Sequence, residues 1–193
     1  RVSWAGSDDA SGITIYEYAL GTTSGGTEVI DWTSADTATV DTLTGLSLTN
    51  GQIYYLSTRA TDIAGNVSDV TSSDGVVIDI SPPIGTIVND GAGDDISYTA
   101  SDTALSANWP AFREVTTQIT KYEVSLGTAA GNTDVLDWFD NGLSTSFSID
   151  DMEFLSQWLT NGVMYFTNVR AGDEAGSREG SQEAPKAAGE GGE

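Results

Sequence analysis

The chain of 193 residues contains no cysteine and no histidine. Without cysteine no disulfide can staple it, no thiol can act as nucleophile, and sulfur says nothing of its redox compartment. Without histidine the usual general base at neutral pH, the Ser-His-Asp triad and imidazole metal sites are all excluded. Positive charge is scarce as well: seven Lys and Arg stand against 29 Asp and Glu, a formal net charge of −22. Nucleic acids and anionic lipid surfaces are held through Lys and Arg, so neither is an expected partner. A surface this acidic favours solubility and attracts cations, and a salty or calcium-rich medium would screen it. No apolar run approaches the ~20 residues that cross a bilayer, so membrane insertion is not expected. No secretory leader is visible, and the abrupt strand-like opening at Val2-Ser3-Trp4 reads as a piece of something longer.

What the chain does have, it has twice. Ile13-Thr14-Ile15-Tyr16-Glu17-Tyr18-Ala19-Leu20-Gly21-Thr22 returns 106 residues later as Ile119-Thr120-Lys121-Tyr122-Glu123-Val124-Ser125-Leu126-Gly127-Thr128. At the same offset Val29-Ile30-Asp31-Trp32 returns as Val135-Leu136-Asp137-Trp138. After an insertion in the second copy, Leu48-Thr49-Asn50-Gly51 and Tyr54 match Leu159-Thr160-Asn161-Gly162 and Tyr165, Arg59-Ala60 matches Arg170-Ala171, and Ala64-Gly65 matches Ala175-Gly176. A period near 100 residues is too long for a solenoid repeat of roughly 20–50 and suits a sandwich domain.

The periodicity is that of strands. Tyr16, Tyr18 and Leu20 stay apolar in the second copy (Tyr122, Val124, Leu126). Ile15, Glu17 and Ala19 become Lys121, Glu123 and Ser125. Alternate side chains of a strand lie on opposite faces, so the first set is expected in a core and the second outside it. Tyr54, Leu56, Thr58 and Ala60 alternate in the same way, as do Tyr165, Thr167, Val169 and Ala171. Turn sequences such as Ser24-Gly25-Gly26, Thr49-Asn50-Gly51, Ala64-Gly65-Asn66 and Ala130-Gly131-Asn132 separate the runs. Only Asp150–Trp158 reads as a short helical turn. The adjacent prolines Pro82 and Pro83 stop sheet pairing and stiffen a join. The expected division is therefore a first sandwich at 1–80 without a first strand of its own, a linker at 81–83, and a second sandwich at 84–180. Its first two strands are expected near Ile96–Ala100 and Ala104–Trp109. The stretch Gly176–Pro185 lacks apolar alternation and predicts a poor last strand, and 181–193 predicts a disordered acidic Gly-Ala tail.

These residues carry a resemblance. Ile119-x-x-Tyr122-x-Val124 is similar to the third strand of a fibronectin type III domain. Leu48-x-x-Gly51-x-x-Tyr54 and Leu159-x-x-Gly162-x-x-Tyr165 resemble that family's tyrosine corner, where the phenol bonds to backbone upstream. Trp4 and Trp109 fall where the family keeps a core Trp on its second strand. The phrases Tyr16–Thr22 and Ala60-Thr61-Asp62-Ile63-Ala64-Gly65-Asn66 are similar to modules repeated in large bacterial surface proteins and adhesins. The resemblance implies an all-β chain of two tandem Ig-like, fibronectin type III-like β-sandwiches joined by a short Pro-containing linker. It implies an extracellular or cell-surface location. It says little about function, because such sandwiches host many roles.

In that fold the second-to-third-strand and sixth-to-seventh-strand loops share one end. Asp8, Asp9, Asp62 and Asn66 are therefore candidate Ca²⁺ ligands, since Ca²⁺ takes 6–8 oxygens from flexible loops. Turn Asp and Asn more commonly bond their own backbone, and no EF-hand spacing is present. In the second copy the corresponding loops carry Phe112-Arg113-Glu114 and Asp173-Glu174, with Ser177 in place of Asn66; Arg113 would compete with a cation. Carboxylates alone can hydrolyse glycosides, but these lie in Gly-rich turns rather than a cleft that would raise one pKa. No phosphate loop, nucleophile elbow or zinc spacing is present, so no enzyme is expected. The expected role is that of a structural repeat: a spacer or adhesion stalk whose partners are neighbouring copies or modules of the same protein, or a cell-surface glycan or protein. Defective edges in both copies would let neighbours exchange strands into a filament. The alternative is a glycan- or protein-binding accessory module of a secreted hydrolase, presenting Trp32 and Trp138.

Overall fold

In a computed structural model the chain forms two compact units, Arg1–Asp79 and Ile80–Glu193. The structure describes residues 1–8, 10–150 and 159–182. The described residues hold strands, turns and irregular segments and no helix, so the chain is all-β. The expected helical turn falls largely on 151–158, outside the described residues. Ser81–Pro83, expected as a linker, belongs to the second unit.

Strands of the first unit are β1 (Val2–Ser3), β2 (Ile13–Gly21), β3 (Ile30–Ser34), β4 (Val40–Asp41), β5 (Ile53–Asp62), β6 (Thr71–Ser72) and β7 (Val76–Val77). One sheet runs β3-β2-β5-β6, with β7 pairing the start of β5, while β1 and β4 form a separate short ladder. All pairings are antiparallel. The alternation of β2 is legible in its burial: Tyr16, Tyr18 and Leu20 are buried, while Ile15 is exposed and Glu17 half-buried.

The second unit contains β8 (Asn89–Asp90), β9 (Leu105–Asn108), β10 (Ile119–Gly127), β11 (Leu136–Asp140), β12 (Ser146–Ile149), β13 (Phe166–Asp173) and β14 (Arg178–Gln182). They form a sheet β11-β10-β13-β14 and a sheet β12-β9-β8. Between them lies one core in which Tyr122, Val124 and Leu126 of β10 and Val169 and Ala171 of β13 meet Ala107 of β9, Phe147 of β12, Val88 and Trp109. This is a β-sandwich.

Two strand expectations are corrected. Ile96–Ala100 is not a strand; β8 takes the place beside β9, and Tyr98 is 92% exposed. The preceding Gly-rich turn explains it, because the Asn108 amide donates to the carbonyls of Gly91 and Gly93 and folds that segment away from the ladder. The poor last strand is overturned too. β14 pairs with β13 over five positions, Gly172↔Arg178 to Asn168↔Gln182, so Ser181 and Gln182 are strand rather than tail. A ladder is made by backbone groups, and an edge strand does not need apolar alternation to join it. Residues 183–193 lie outside the described residues.

Both tyrosine corners are formed. The backbone N–H of Thr49 donates to the Tyr54 hydroxyl at 2.9 Å, and that of Thr160 to the Tyr165 hydroxyl at 2.7 Å. The outer face is not wholly outside, however: Ala19 and Ser125 are fully buried. The turn after β2 and its counterpart after β10 fold back over the sheet there. The Gly25 N–H donates to Ser57 Oγ, and the Gly131 N–H to Asn168 Oδ1 at 2.7 Å. The Asn168 amide returns a bond to the Asn132 carbonyl at 2.8 Å. This fold-back explains Gly127, where a Cβ would lie 2.4 Å from the Asn132 carbonyl oxygen. Gly127→Ala must displace backbone, and it is expected to destabilise the second unit by about 2 kcal/mol, the scale of overpacking. Urea denaturation of the intact chain checks this.

Candidate functional site

Two groups of side chains recur at matching positions. The first lies on the outer face of each main sheet. Glu17 of β2 sits directly across from Arg59 of β5, and Glu123 of β10 across from Arg170 of β13. In each pair the arginine Nε donates to the glutamate Oε2 at 2.8 Å. Each guanidinium also lies over an indole, Arg59 at 4.4 Å from the Trp32 ring and Arg170 at 4.2 Å from that of Trp138. The tryptophans reach this position because β3 and β11 flank β2 and β10. A cation over an aromatic face contributes about 0.5–2 kcal/mol. Trp32 and Trp138 are half-buried, as expected for an edge strand, and one face of each ring is already covered.

The second copy elaborates this arrangement. Glu123 is only 9% exposed and also receives Lys121 Nζ at 2.9 Å and Arg178 Nη1 at 3.4 Å. Burial alone would push its carboxyl up, but Lys121, Arg170 and Arg178 more than cancel that and hold it below its ordinary value. Sequence reasoning did not single out these glutamates and arginines. The signal was available, because Glu, Trp and Arg all recur together in the two copies.

The second group is at the loop end. Asp8, Asp62 and Asn66 line one small cleft of about 180 Å³. Asp9, the fourth expected ligand, lies outside the described residues. Asp8 Oδ2 accepts the N–H groups of Ser11 and Gly12, each at 2.6 Å, and that of Ala10 at 3.2 Å. These bonds hold the Asp8 carboxyl below its ordinary value. Asp62 Oδ1 accepts the Asn66 backbone N–H and Oδ2 the Asn66 side-chain amide, both at 2.8 Å. The amide and backbone of Asn66 lower the Asp62 carboxyl, while partial burial and the Asp8 charge push back. The loops thus bring three of the four residues together, with the carboxylates occupied by turn donors.

In the second copy Glu114 takes the place of Asp8 and Asp173 that of Asp62. Glu114 Oε1 accepts the N–H groups of Val115 and Thr116 at 2.5 and 3.0 Å, and Asp173 Oδ1 accepts that of Ser177 at 2.8 Å. Arg113 is exposed and its backbone pairs with Ile84. Among the described residues it forms no ion pair with either acid.

No helix among the described residues is long and apolar enough to cross a membrane. No protein-family model matches the chain, and no curated protein matches it. Among solved structures, the chicken CNTN1 FN1–FN3 domains match 94% of this chain at 17% identity with a TM-score of 0.33. The chain spans 60% of that structure's length. A likeness so distant decides neither fold nor function, and the fold rests on the strand pairings themselves.

Proposed function

We propose that this chain is a pair of structural modules from an extracellular repeat protein, serving as a spacer or stalk. The observation that carries the reading is what recurs. Two tyrosine corners, two Glu–Arg–Trp stacks and two folded-back turns are repeated between copies and each holds a sheet together, and the recurring loop-end acids bond the N–H groups of their own turns. A repeated catalytic or ligand site would instead repeat side chains left available at a cleft. Antiparallel sandwiches resist extension because their ladders must be sheared together, which suits a module under tension.

Neighbouring modules of the same protein are the partners this reading supplies. Filament formation by strand exchange loses its basis in the second unit, where β14 completes the sheet edge on which the idea relied. The accessory-module reading loses ground at Trp32 and Trp138, since a sugar would have to compete with a stacked guanidinium.

Pulling the intact chain between inert handles tests the proposal. Two separate unfolding events are expected, the first unit releasing on the order of 25 nm of chain at ~3.4 Å per residue. A single event, or extension without measurable resistance, would remove the load-bearing role. Light scattering over a wide concentration range should show a monomer throughout. Concentration-dependent polymers would restore strand exchange in place of the simple stalk.

A further inference from the structure

We propose that Glu114 and Asp173 supply carboxylate ligands to a calcium site in the second sandwich. Asp173 is only 5% exposed, and its Oδ2 is buried without a hydrogen-bond partner. Glu114 Oε2 is likewise buried and unpartnered. The two side chains bring carboxylate oxygens within 4.8 Å of one another. Buried polar atoms are nearly always satisfied, and two orphaned carboxylate oxygens on side chains this close are the reverse of what a folded chain tolerates alone. Twice a Ca–O bond is about 5 Å, so one ion spans this gap. Its remaining positions would be filled by further oxygen ligands. The set is oxygen only and lies on loops, which suits a hard cation of adaptable geometry.

The internal duplication shows why the second copy differs. In the first copy the Asn66 amide donates to Asp62 Oδ2 and satisfies it. In the second, Ser177 stands in that place, and its backbone N–H still serves Asp173 Oδ1 while nothing reaches Oδ2. Likewise Asp8 places one oxygen in a nest of three N–H groups, whereas the longer Glu114 engages two through Oε1 and leaves Oε2 buried and unpartnered. The substitution that removes a candidate ligand therefore removes the donor that neutralised the real one. Asp173 closes β13, opposite Ile119 of β10, and Glu174 donates its N–H to the Gln118 carbonyl. Glu114 follows Arg113, which is fixed to Ile84 by two backbone hydrogen bonds of 2.8 and 2.9 Å. Both ligands are thus held by backbone pairings before any ion arrives, which limits the ordering that binding must impose.

Calorimetric melting of the intact chain tests this, with calcium chloride as the only added ligand. The wild-type transition should rise saturably, by about 10 °C at a hundredfold excess over Kd. Asp173→Asn and Glu114→Gln should each abolish the rise. In chelator, Asp173→Asn should melt higher than wild type, because a neutral amide can donate to Glu114 where two carboxylates repel. Asp62→Asn should leave the calcium response intact. Isothermal titration should show heat for wild type and none for the two variants. No calcium response in wild type, or one that survives both Asp173→Asn and Glu114→Gln, overturns the proposal. A response lost in Asp62→Asn alone moves the ion to the first copy and overturns it equally.

Discussion

Trp109→Ala is expected to destabilise the second sandwich by roughly 4 kcal/mol, the scale for deleting a large aromatic from a packed core. Trp109 is 3% exposed and sits in the cluster that joins the two sheets. Its ring meets Tyr122 edge-on at 5.8 Å, and Tyr122 in turn meets Phe112 at 5.4 Å. The Tyr122 hydroxyl accepts the buried N–H of Phe112 at 3.0 Å, so the aromatic chain also satisfies the backbone leading into the Glu114 loop. Alanine at 109 removes one end of this aromatic chain and leaves a cavity against Tyr122. With a urea m-value near 2 kcal/mol per molar, the midpoint should fall by about 2 M. The first copy supplies the control. Trp4 is half-buried beside Tyr16 and Tyr18, so Trp4→Ala should cost much less. Equal losses would mean that the two sandwiches do not differ in packing as described.

The second large effect is expected from Glu123→Gln. Three cations converge on this carboxylate from β10, β13 and β14, and a neutral amide leaves them facing one another over a mostly buried site. Removing one partner of a buried network strands the others. Here the cations are a quarter to a half exposed, so water screens part of the loss and about 2 kcal/mol is expected. The pH dependence follows from the lowered carboxyl. Its contribution is fully present above the unfolded value, about 4.5 as for an ordinary glutamate, and is lost as pH falls through the lower folded value. Wild-type stability should therefore drop across that acidic window, and Glu123→Gln should remove part of the slope there while being weaker at neutral pH. Glu17→Gln should change far less, because Glu17 is more exposed and meets Arg59 without the extra lysine and arginine. A flat wild-type profile in acid would refute the network's role.

The strands were the most legible part of the sequence. β2, β10 and β13 are long, and their inward tyrosines, valines and leucines are buried where a period of two puts them; in β5 only Tyr54 of the expected inward set is buried, with Leu56, Thr58 and Ala60 half-buried. The failures came where backbone rather than side-chain pattern decides. β14 has no apolar code, yet it pairs fully, and Ala19 and Ser125 are buried by a turn that alternation cannot foresee. The loop end was half legible. Asp8, Asp62 and Asn66 do converge, because they flank the ends of β2 and β5. Glu114 and Asp173 were set below the first-copy residues because Arg113 stands beside them in sequence and Ser177 replaces Asn66, yet Arg113 forms no ion pair with either acid among the described residues. Whether an oxygen is still available depends on its neighbour, here Asn66 or Ser177, and that is a matter of reach and donor geometry.

The first sandwich is closed along β5 by two strands of two residues each, while the second has an unbroken five-residue partner strand along β13. If the pair serves as the proposed stalk, such unequal seams would make it yield in steps, the weaker unit giving way early and paying out slack while the stronger stays folded.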